Sequence, residues 1–415
     1  MNDFLVNEVN RCFNCVNKPC MNACPLNNDI PKIISLVKEE KFEEAYKVLT
    51  QTTVLPAVAS LVCPHDKQCK SKCTAKYKGD AIDIGNIEHF LGMLAIENGW
   101  TFSSISNGLK GLKVAVVGGG PAGLTASAFL ARNGADVSIF EKQDKLGGIL
   151  RYGIPDFRLS KVLLDEAIDK ILEIGVKANF NKELGVNLFL DDLKADFDAI
   201  LLSFGANVSK HMSIMGEDLN GVFGGNELLE SDAHPDYTGK VVIVSGGGNV
   251  AMDVARTIKR LNAEKVIVVY RRSEEEMPAE VKEISEAKEE GVEFLFHTNL
   301  LKISGCEHVE EIECIKTFYD GERVRENLKN VEGSNFSLKS DFVIMAIGAG
   351  ANENLVNSLD LKLDDRKYIK VDEAYLTSQN KIFAIGDLAA NKSTVAWAAS
   401  SGKKAAESIV KLYKR

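Results

Sequence analysis

A strand, a glycine-rich loop and a helix succeed one another twice in this chain, and no other feature restricts its fold as tightly. The first copy is Val114-Ala115-Val116-Val117-Gly118-Gly119-Gly120-Pro121-Ala122-Gly123, leading into an Ala- and Leu-rich helix to about Asn133. The second is Val241-Val242-Ile243-Val244-Ser245-Gly246-Gly247-Gly248-Asn249-Val250-Ala251, leading into a helix to about Leu261. Short β-branched runs that alternate with helices build parallel α/β sheets. In such a unit the glycines permit a tight turn and close backbone approach, and the free N–H groups of the helix N-terminus face a pyrophosphate. Two units predict two nucleotide sites.

The end of the next strand distinguishes the two sites. After Gly118-x-Gly120-x-x-Gly123 that strand, Asp136 to Phe140, ends in Glu141-Lys142, and a carboxylate there accepts hydrogen bonds from a ribose 2′-OH. After Gly246-x-Gly248-x-x-Ala251 the strand Val266 to Tyr270 ends instead in Arg271-Arg272. A carboxylate repels a 2′-phosphate, whereas a guanidinium holds one with forked, charge-assisted hydrogen bonds. The second loop, with Asn249 and Val250 at its helix start, is therefore expected to take NADPH. NADH stays open, because Glu274-Glu275-Glu276 stands beside the arginines and could neutralise them.

Two further segments point to FAD at the first loop: Gly147-Gly148-Ile149-Leu150-Arg151, and Ile382-Phe383-Ala384-Ile385-Gly386-Asp387 with Thr394-Val395 and Gly402 after it. They resemble flavoprotein reductases with two dinucleotide domains, and by that resemblance Gly386 and Asp387 meet the ribityl and phosphate region. Disulfide reductases of this architecture place a redox cysteine pair against the flavin. No such pair succeeds either loop, so electrons must leave by another route.

Seven of the nine cysteines lie between Cys12 and Cys73, with only Cys306 and Cys314 beyond. The spacing is Cys12-x2-Cys15-x4-Cys20-x3-Cys24-Pro25, then Cys63-Pro64-x4-Cys69-x3-Cys73. Such crowding suits metal ligation in a reducing compartment, and a Cys-Pro closing a run fits [4Fe–4S] ligation. Zinc also uses CxxC pairs but is redox-inert. Seven thiolates fill one four-thiolate cluster and leave three for a second. An eighth ligand could be His65, Glu88 or His89. Residues 30–49 carry Ile33, Ile34, Val37, Phe42, Ala45, Tyr46 and Leu49 at mainly helical spacing behind Asp29 and Pro31, which predicts one helix between the cysteine loops.

The Cys12–Cys24 run, Cys63–Cys73, Ile84-Gly85-Asn86-Ile87-Glu88, Arg151-Tyr152-Gly153-Ile154-Pro155-Asp156-Phe157-Arg158-Leu159, and Tyr270-Arg271-Arg272-Ser273 with Met277-Pro278-Ala279 together resemble the glutamate synthase small-subunit family over essentially the whole chain. That family includes the electron-input half of dihydropyrimidine dehydrogenases and the large subunit of NADH-dependent ferredoxin:NADP oxidoreductases. The resemblance implies one cluster on Cys12, Cys15, Cys20 and Cys73 and another on Cys24, Cys63, Cys69 and Glu88. It also implies an FAD domain split by an inserted NADPH domain, with the crossings at Gly205 and Gly348. The expected fold is thus α/β: an α-helical iron–sulfur domain (1–105), an FAD domain in two parts (106–235 and 342–415) and an NADPH domain (236–341).

The expected activity is oxidation of NADPH, with hydride passing to FAD and electrons passing singly out through a [4Fe–4S] cluster; two clusters are expected, without both being assigned to conduct. The chain has no length left for an FMN barrel or a glutaminase domain. A hetero-oligomer is therefore expected, with an FMN-containing partner subunit or a ferredoxin-type acceptor. Foremost is the glutamate synthase large subunit, which reduces the imine formed from 2-oxoglutarate and ammonia; a dihydropyrimidine dehydrogenase FMN subunit, or an NADH-binding subunit for ferredoxin-linked electron bifurcation, is an alternative. A net charge of −9 and pI of about 5.4 argue against nucleic-acid binding. With no leader-like start and no apolar run of spanning length, the sequence reads as cytoplasmic and not membrane-bound.

Overall fold

The computed structural model describes residues 3–231, 233–389 and 393–414. The chain divides into two compact units, one of Met1–Arg151, Asp156–Gly205 and Glu353–Arg415, the other of Tyr152–Pro155 and Ala206–Asn352.

The first unit opens with short helices, Asp3–Arg11, Pro19–Ala23, Ile30–Lys38, Phe42–Leu49, Pro56–Val62 and Ile84–Glu97. Their apolar faces close around Ile33, Val37, Leu49, Ile87 and Leu91, and Cys69 and Cys73 belong to the same core. The single helix expected over 30–49 is two. Glu40 takes a left-handed conformation (φ 57°) and the Lys41 N–H reaches back to Leu36 O at 2.9 Å, a helix stop that resets the apolar stripe before Phe42.

Behind these helices stands a five-stranded sheet, entirely parallel, in the order Ile382–Ala384, Ala199–Leu202, Lys113–Val117, Asp136–Phe140, Lys177–Asn179. Helices cover it, so its central strands are continuous apolar runs rather than alternating ones. Pro121–Arg132 and Val395–Tyr413 pack closely because Gly402 lets the backbones approach: a Cβ there would overlap Ala122 O and lie 3.1 Å from Ala126 N. Arg132, 5% exposed, ends the first of these helices and ties it to the cysteine-bearing helices. It donates to Thr50 O (2.6 Å) and Ser103 O (2.8 Å) and stacks over Phe102 and Phe129.

The second unit repeats the pattern with a parallel sheet ordered Val222–Gly224, Phe342–Met345, Val241–Ser245, Lys265–Val269, Glu293–Leu295. An antiparallel group, Thr298–Ser304, Glu311–Tyr319, Leu328–Asn330 and Phe336–Lys339, packs beside it. The sheet draws in Val222–Gly224 and Phe342–Met345, which the sequence pattern assigns to the split flavin domain. Backbone pairing across the sheet extends this unit beyond 236–341 on both sides. No helix among the described residues is long and apolar enough to cross a membrane.

Because the Gly402 contact leaves no room for a methyl group, Gly402→Ala is expected to lower stability by about 1–3 kcal/mol, the cost of overpacking a close helix pair. Denaturant midpoints of wild type and variant check this; an unchanged midpoint would mean that the helices separate at no cost.

Candidate functional site

In the first loop each glycine has its own reason. Gly118 turns at φ 104°, and a Cβ there would lie 2.7 Å from Ser203 O. A Cβ on Gly123 would overlap Gly118 O, so this glycine sets the helix against its strand. At Gly119, absent from the sequence motif, a Cβ would overlap Leu146 and sit 3.2 Å from Glu141 Oε2. Gly120 is different, because a Cβ there would meet nothing nearer than Gly148 Cα at 3.8 Å. The protein itself does not demand a glycine at that point. Open space beside the N-terminus of Pro121–Arg132 is where a pyrophosphate would lie, and the residues fit one.

Glu141, 5% exposed, accepts Gly119 N–H (2.7 Å) and Gln143 N–H (3.0 Å). Burial holds its carboxyl above the usual range, and these hydrogen bonds oppose that shift. The residue thus shapes the loop and retains lone pairs for a ribose. Lys142 is exposed beside it and Arg158 is half-buried. Gly148 packs against Gly120, whereas the Leu150 side chain is fully buried in the core.

Gly386, at φ 67°, donates its N–H to Ser401 Oγ (2.8 Å) and would place a Cβ 3.2 Å from Ala122, which brings this segment to the start of the loop helix. Thr394 caps the C-terminal helix at Trp397 N–H, with Val395 its first residue. Asp387 stands between them, its pKa pushed up to about 6 by burial. Among the described residues no donor reaches its carboxylate, which suits a site for ligand hydroxyl groups.

The second loop obeys the same logic. Gly246 turns at φ 142°, a Cβ on Gly247 would strike the Tyr270 ring at 2.5 Å, and Gly248 faces open space with nothing within 4 Å. Asn249 Oδ1 accepts Glu280 N–H (2.9 Å), and Val250 packs toward Gly225. Gly348, exposed at φ 124°, accepts Lys210 N–H (2.9 Å). Arg272 lies over the Tyr270 ring at 5.4 Å, and its Nε is buried with no hydrogen-bond partner. Burial, then Arg325, then Arg272 depress the pKa of Arg271. Three guanidinium groups with one orphaned donor fit an anion. Arg325, in the Arg325–Asn327 turn of the antiparallel group, belongs to no motif, and nothing in the sequence pattern marks it.

The cysteines separate into two neighbourhoods. Cys12 feels the charges of Cys73 and Cys15, and Cys20 those of Cys12 and Cys73. Cys24 and Cys69 each feel Glu88, and Cys69 also feels Cys24 and then Cys20, so the two neighbourhoods adjoin. Cys63, half-buried, ends the helix Pro56–Val62. Burial raises the thiols of Cys12, Cys20, Cys24 and Cys69, to about 11 for Cys20 and Cys24. Desolvated soft donors of this kind fit an iron–sulfur group, whose positive irons hold them as thiolates. Glu88, 8% exposed, is raised by burial and accepts Asn28 Nδ2 at 2.8 Å, while Thr52 Oγ1 donates to Asn28 Oδ1 at 2.6 Å. His65 stands near Glu88, with Nδ1 3.4 Å from Cys69 Sγ, whereas His89 is engaged with Ala57 O. Asn28 is a second residue that the sequence does not single out.

Comparison with known proteins agrees with both halves. Residues 112–403 match the family of pyridine nucleotide-disulphide oxidoreductases, and residues 2–100 match "dihydropyrimidine dehydrogenase domain II, 4Fe-4S cluster". The chain is 35% identical to the small chain of NADPH glutamate synthase from Escherichia coli, over 97% of this chain and 90% of that one. It is 34% identical to the beta subunit of an NADP(+)-dependent formate dehydrogenase from Moorella thermoacetica, over 95% of this chain and 60% of that one. The oxidoreductase FprA of Mycobacterium tuberculosis shares the fold at a TM-score of 0.63 and 18% identity, over 72% of this chain and 84% of that one. A thioredoxin reductase from T. acidophilum shares the fold at a TM-score of 0.54 and 20% identity, over 72% of this chain and 97% of that one. With loops, segments and cysteine layer matched from end to end, the chain belongs to the glutamate synthase small-chain family of pyridine nucleotide-disulphide oxidoreductases.

Proposed function

We propose that this protein is the electron-input component of a hetero-oligomer: it oxidises NADPH at the second loop and delivers electrons through the cysteine layer to a partner protein. The observation that carries this reading is the contrast between loops, with Glu141 beside one and Arg271, Arg272 and the orphaned Arg272 Nε beside the other.

FAD would be held by Gly118, Gly120, Pro121, Ala122, Gly123, Glu141, Lys142, Gly148, Leu150, Arg158, Gly386, Asp387, Thr394 and Val395, with Leu150 contributing its backbone. NADPH would be held by Gly246, Gly248, Asn249, Val250, Arg271, Arg272 and Gly348, with Arg325 added. One [4Fe–4S] cluster would take Cys12, Cys15, Cys20 and Cys73, and a second Cys24, Cys63, Cys69 and Glu88. With these groups bound, the chemistry they supply is hydride transfer from nicotinamide to flavin and then release of electrons one at a time. The protein orients and desolvates; no side chain is required to move a proton at the nicotinamide carbon. Glu141 and Asp387 hold hydroxyl groups, Arg271, Arg272 and Arg325 hold the 2′-phosphate, and Asn28 holds Glu88 in place.

The partner proposed first is a glutamate synthase large subunit, consistent with the small-chain relatives. A formate dehydrogenase assembly is a second setting for the same input role, since the Moorella relative is named as a subunit of one.

Anaerobic purification should give a brown, flavin-containing protein with about eight iron atoms per chain, as expected for two four-iron clusters. NADPH should bleach it and NADH should act much more weakly. A colourless, iron-free protein would end the proposal, and bleaching by NADH alone would remove the role of the arginines.

Arg325→Ala should raise KM for NADPH by about tenfold or more, in keeping with about 1.5–3 kcal/mol for a charge-assisted hydrogen bond, and leave the weak NADH reaction unchanged. Steady-state kinetics with both nucleotides decide this.

Asp387 supplies a pH signature. Its pKa in the ligand-free fold is about 6 against an ordinary 3.8, so the folded state binds this proton more tightly than the unfolded one. The stability linked to that proton is therefore present below about pH 4 and lost as pH rises toward 6. Flavin-stripped Asp387→Asn should match wild type in thermal midpoint near pH 4 and exceed it at pH 7. Equal midpoints at both pH values would contradict the burial argument.

A further inference from the structure

We propose that Tyr319 is a specificity-determining positioning residue of the second loop: its hydroxyl holds the Glu276 carboxylate off Arg272 and so keeps that guanidinium for the 2′-phosphate of the nucleotide. This rests on the reading of Arg271, Arg272 and Arg325 as the residues that hold the phosphate, and it adds what leaves Arg272 available to do so.

A carboxylate within reach of a phosphate-binding guanidinium competes with the phosphate, because it offers the same forked pair of acceptors. Glu276 is such a carboxylate, and the turn after Arg272 carries it. Its Oε2 accepts Ser273 N–H at 3.2 Å and Ser273 Oγ at 3.0 Å in a capping box. Its Oε1 accepts Tyr319 OH at 2.5 Å. Burial works against the charge on Glu276, but hydrogen bonds from Tyr319 and Ser273, and last the charge of Arg272, hold its carboxyl below the usual range. The hydrogen bonds thus outrank the attraction of Arg272, whose charge the Tyr319 hydroxyl also feels. With both carboxylate oxygens engaged, Arg272 lies over the Tyr270 ring at 5.4 Å and its buried Nε has no hydrogen-bond partner.

The backbone around the arginines is pinned independently of the Tyr319 hydroxyl. Thr317 Oγ1 donates to Arg271 O at 2.6 Å, and His297 N–H donates to Arg272 O at 3.1 Å. Thr317 and Tyr319 stand two residues apart on the strand Glu311–Tyr319, so one face of that strand meets both the Arg271 backbone and the Glu276 side chain. Tyr270, beneath Arg272, donates its hydroxyl to Glu276 O at 2.8 Å and fixes the turn from the other side. Removing the Tyr319 hydroxyl therefore leaves the turn in place and releases one carboxylate oxygen. The cation that acts on Glu276 is Arg272, and the released oxygen turns to it. A guanidinium so neutralised loses a 2′-phosphate, whereas a nucleotide without that phosphate is unaffected.

Calorimetric titration of the full cofactor-loaded chain with adenosine 2′,5′-bisphosphate and with 5′-ADP isolates the 2′-phosphate, since the probes differ only there and neither carries a nicotinamide. Wild type should bind the bisphosphate about tenfold or more tightly than ADP. Tyr319→Phe keeps the ring and removes the donor; it should weaken the bisphosphate about tenfold and leave ADP unchanged. Glu276→Gln should bind the bisphosphate at least as tightly as wild type. The double variant Tyr319→Phe/Glu276→Gln should recover wild-type affinity, because a neutral amide does not compete with a phosphate for a guanidinium. Wild-type bisphosphate affinity in Tyr319→Phe would overturn the proposal. So would a loss that Glu276→Gln fails to restore, or a loss shared equally by ADP, since either means that the tyrosine acts by packing. If wild type itself does not distinguish the two probes, the assignment of the arginines to the 2′-phosphate fails, and the role of Tyr319 falls with it.

Discussion

The close contact between the helices Pro121–Arg132 and Val395–Tyr413 is the constraint on which the first unit depends. At one end it sets the Gly118–Gly123 loop beside Gly386, through Ala122 and the missing side chain of Gly402. Farther along, the same two helices hold the cysteine layer, Arg132 through Thr50 and Ser103, and Ser400 through Pro25. The loop, the second flavin segment and the Cys24 loop are thus positioned by one packing event. A flavin held by such a pair cannot drift relative to the cysteine layer without breaking buried hydrogen bonds. Electron transfer, whose rate depends on distance, needs that rigidity.

Within the cysteine layer, the buried Glu88 sets one neighbourhood apart from the other, and the difference has a physical basis in the donors. Glu88 is desolvated, carries a hard oxygen and is held by a neutral amide, which is itself held by Thr52. A buried carboxylate with one neutral hydrogen-bond donor is costly unless a cation sits on it. Cys12, Cys15 and Cys20 are partly buried, as Cys24 and Cys63 are, so Glu88 and not exposure is what sets the two neighbourhoods apart.

Much of this was legible in the sequence because the glycine loops and the cysteine run are local signals whose chemistry derives from spacing. The two parallel sheets and the placement of Arg271 and Arg272 at a strand end agree with those signals, whereas spacing alone leaves His65, Glu88 and His89 open beside Cys24 and Cys69. Non-local features were not legible. Arg325 reaches Arg271 only because a hairpin folds back over the strand end, and Asn28 meets Glu88 across 60 positions. The second unit extends over Val222–Gly224 and Phe342–Met345 because a short strand is assigned by what it pairs with, not by its own composition. The break at Glu40 is invisible for the opposite reason, since a left-handed non-glycine residue leaves no mark in a hydrophobic pattern.

The three glutamates beside Arg271 and Arg272 leave the nucleotide open at the level of sequence, since they could cancel the positive charge. Their hydrogen bonds show where they go instead. Glu274 pairs with Lys288, Glu275 is held low by the Ser273 hydroxyl, and Glu276 closes a capping box with Ser273 while accepting Tyr319 OH. Arg272 lies over the Tyr270 ring with its Nε unpartnered, and Arg271 carries the repulsion of both neighbouring guanidinium groups. The glutamates shape the turn that presents the arginines, and although Glu276 also feels the charge of Arg272, the Nε donor of that guanidinium is still left for a ligand. A site that keeps mutually repelling cations together has its charge arranged for an anion, and the 2′-phosphate is the group that distinguishes NADPH from NADH.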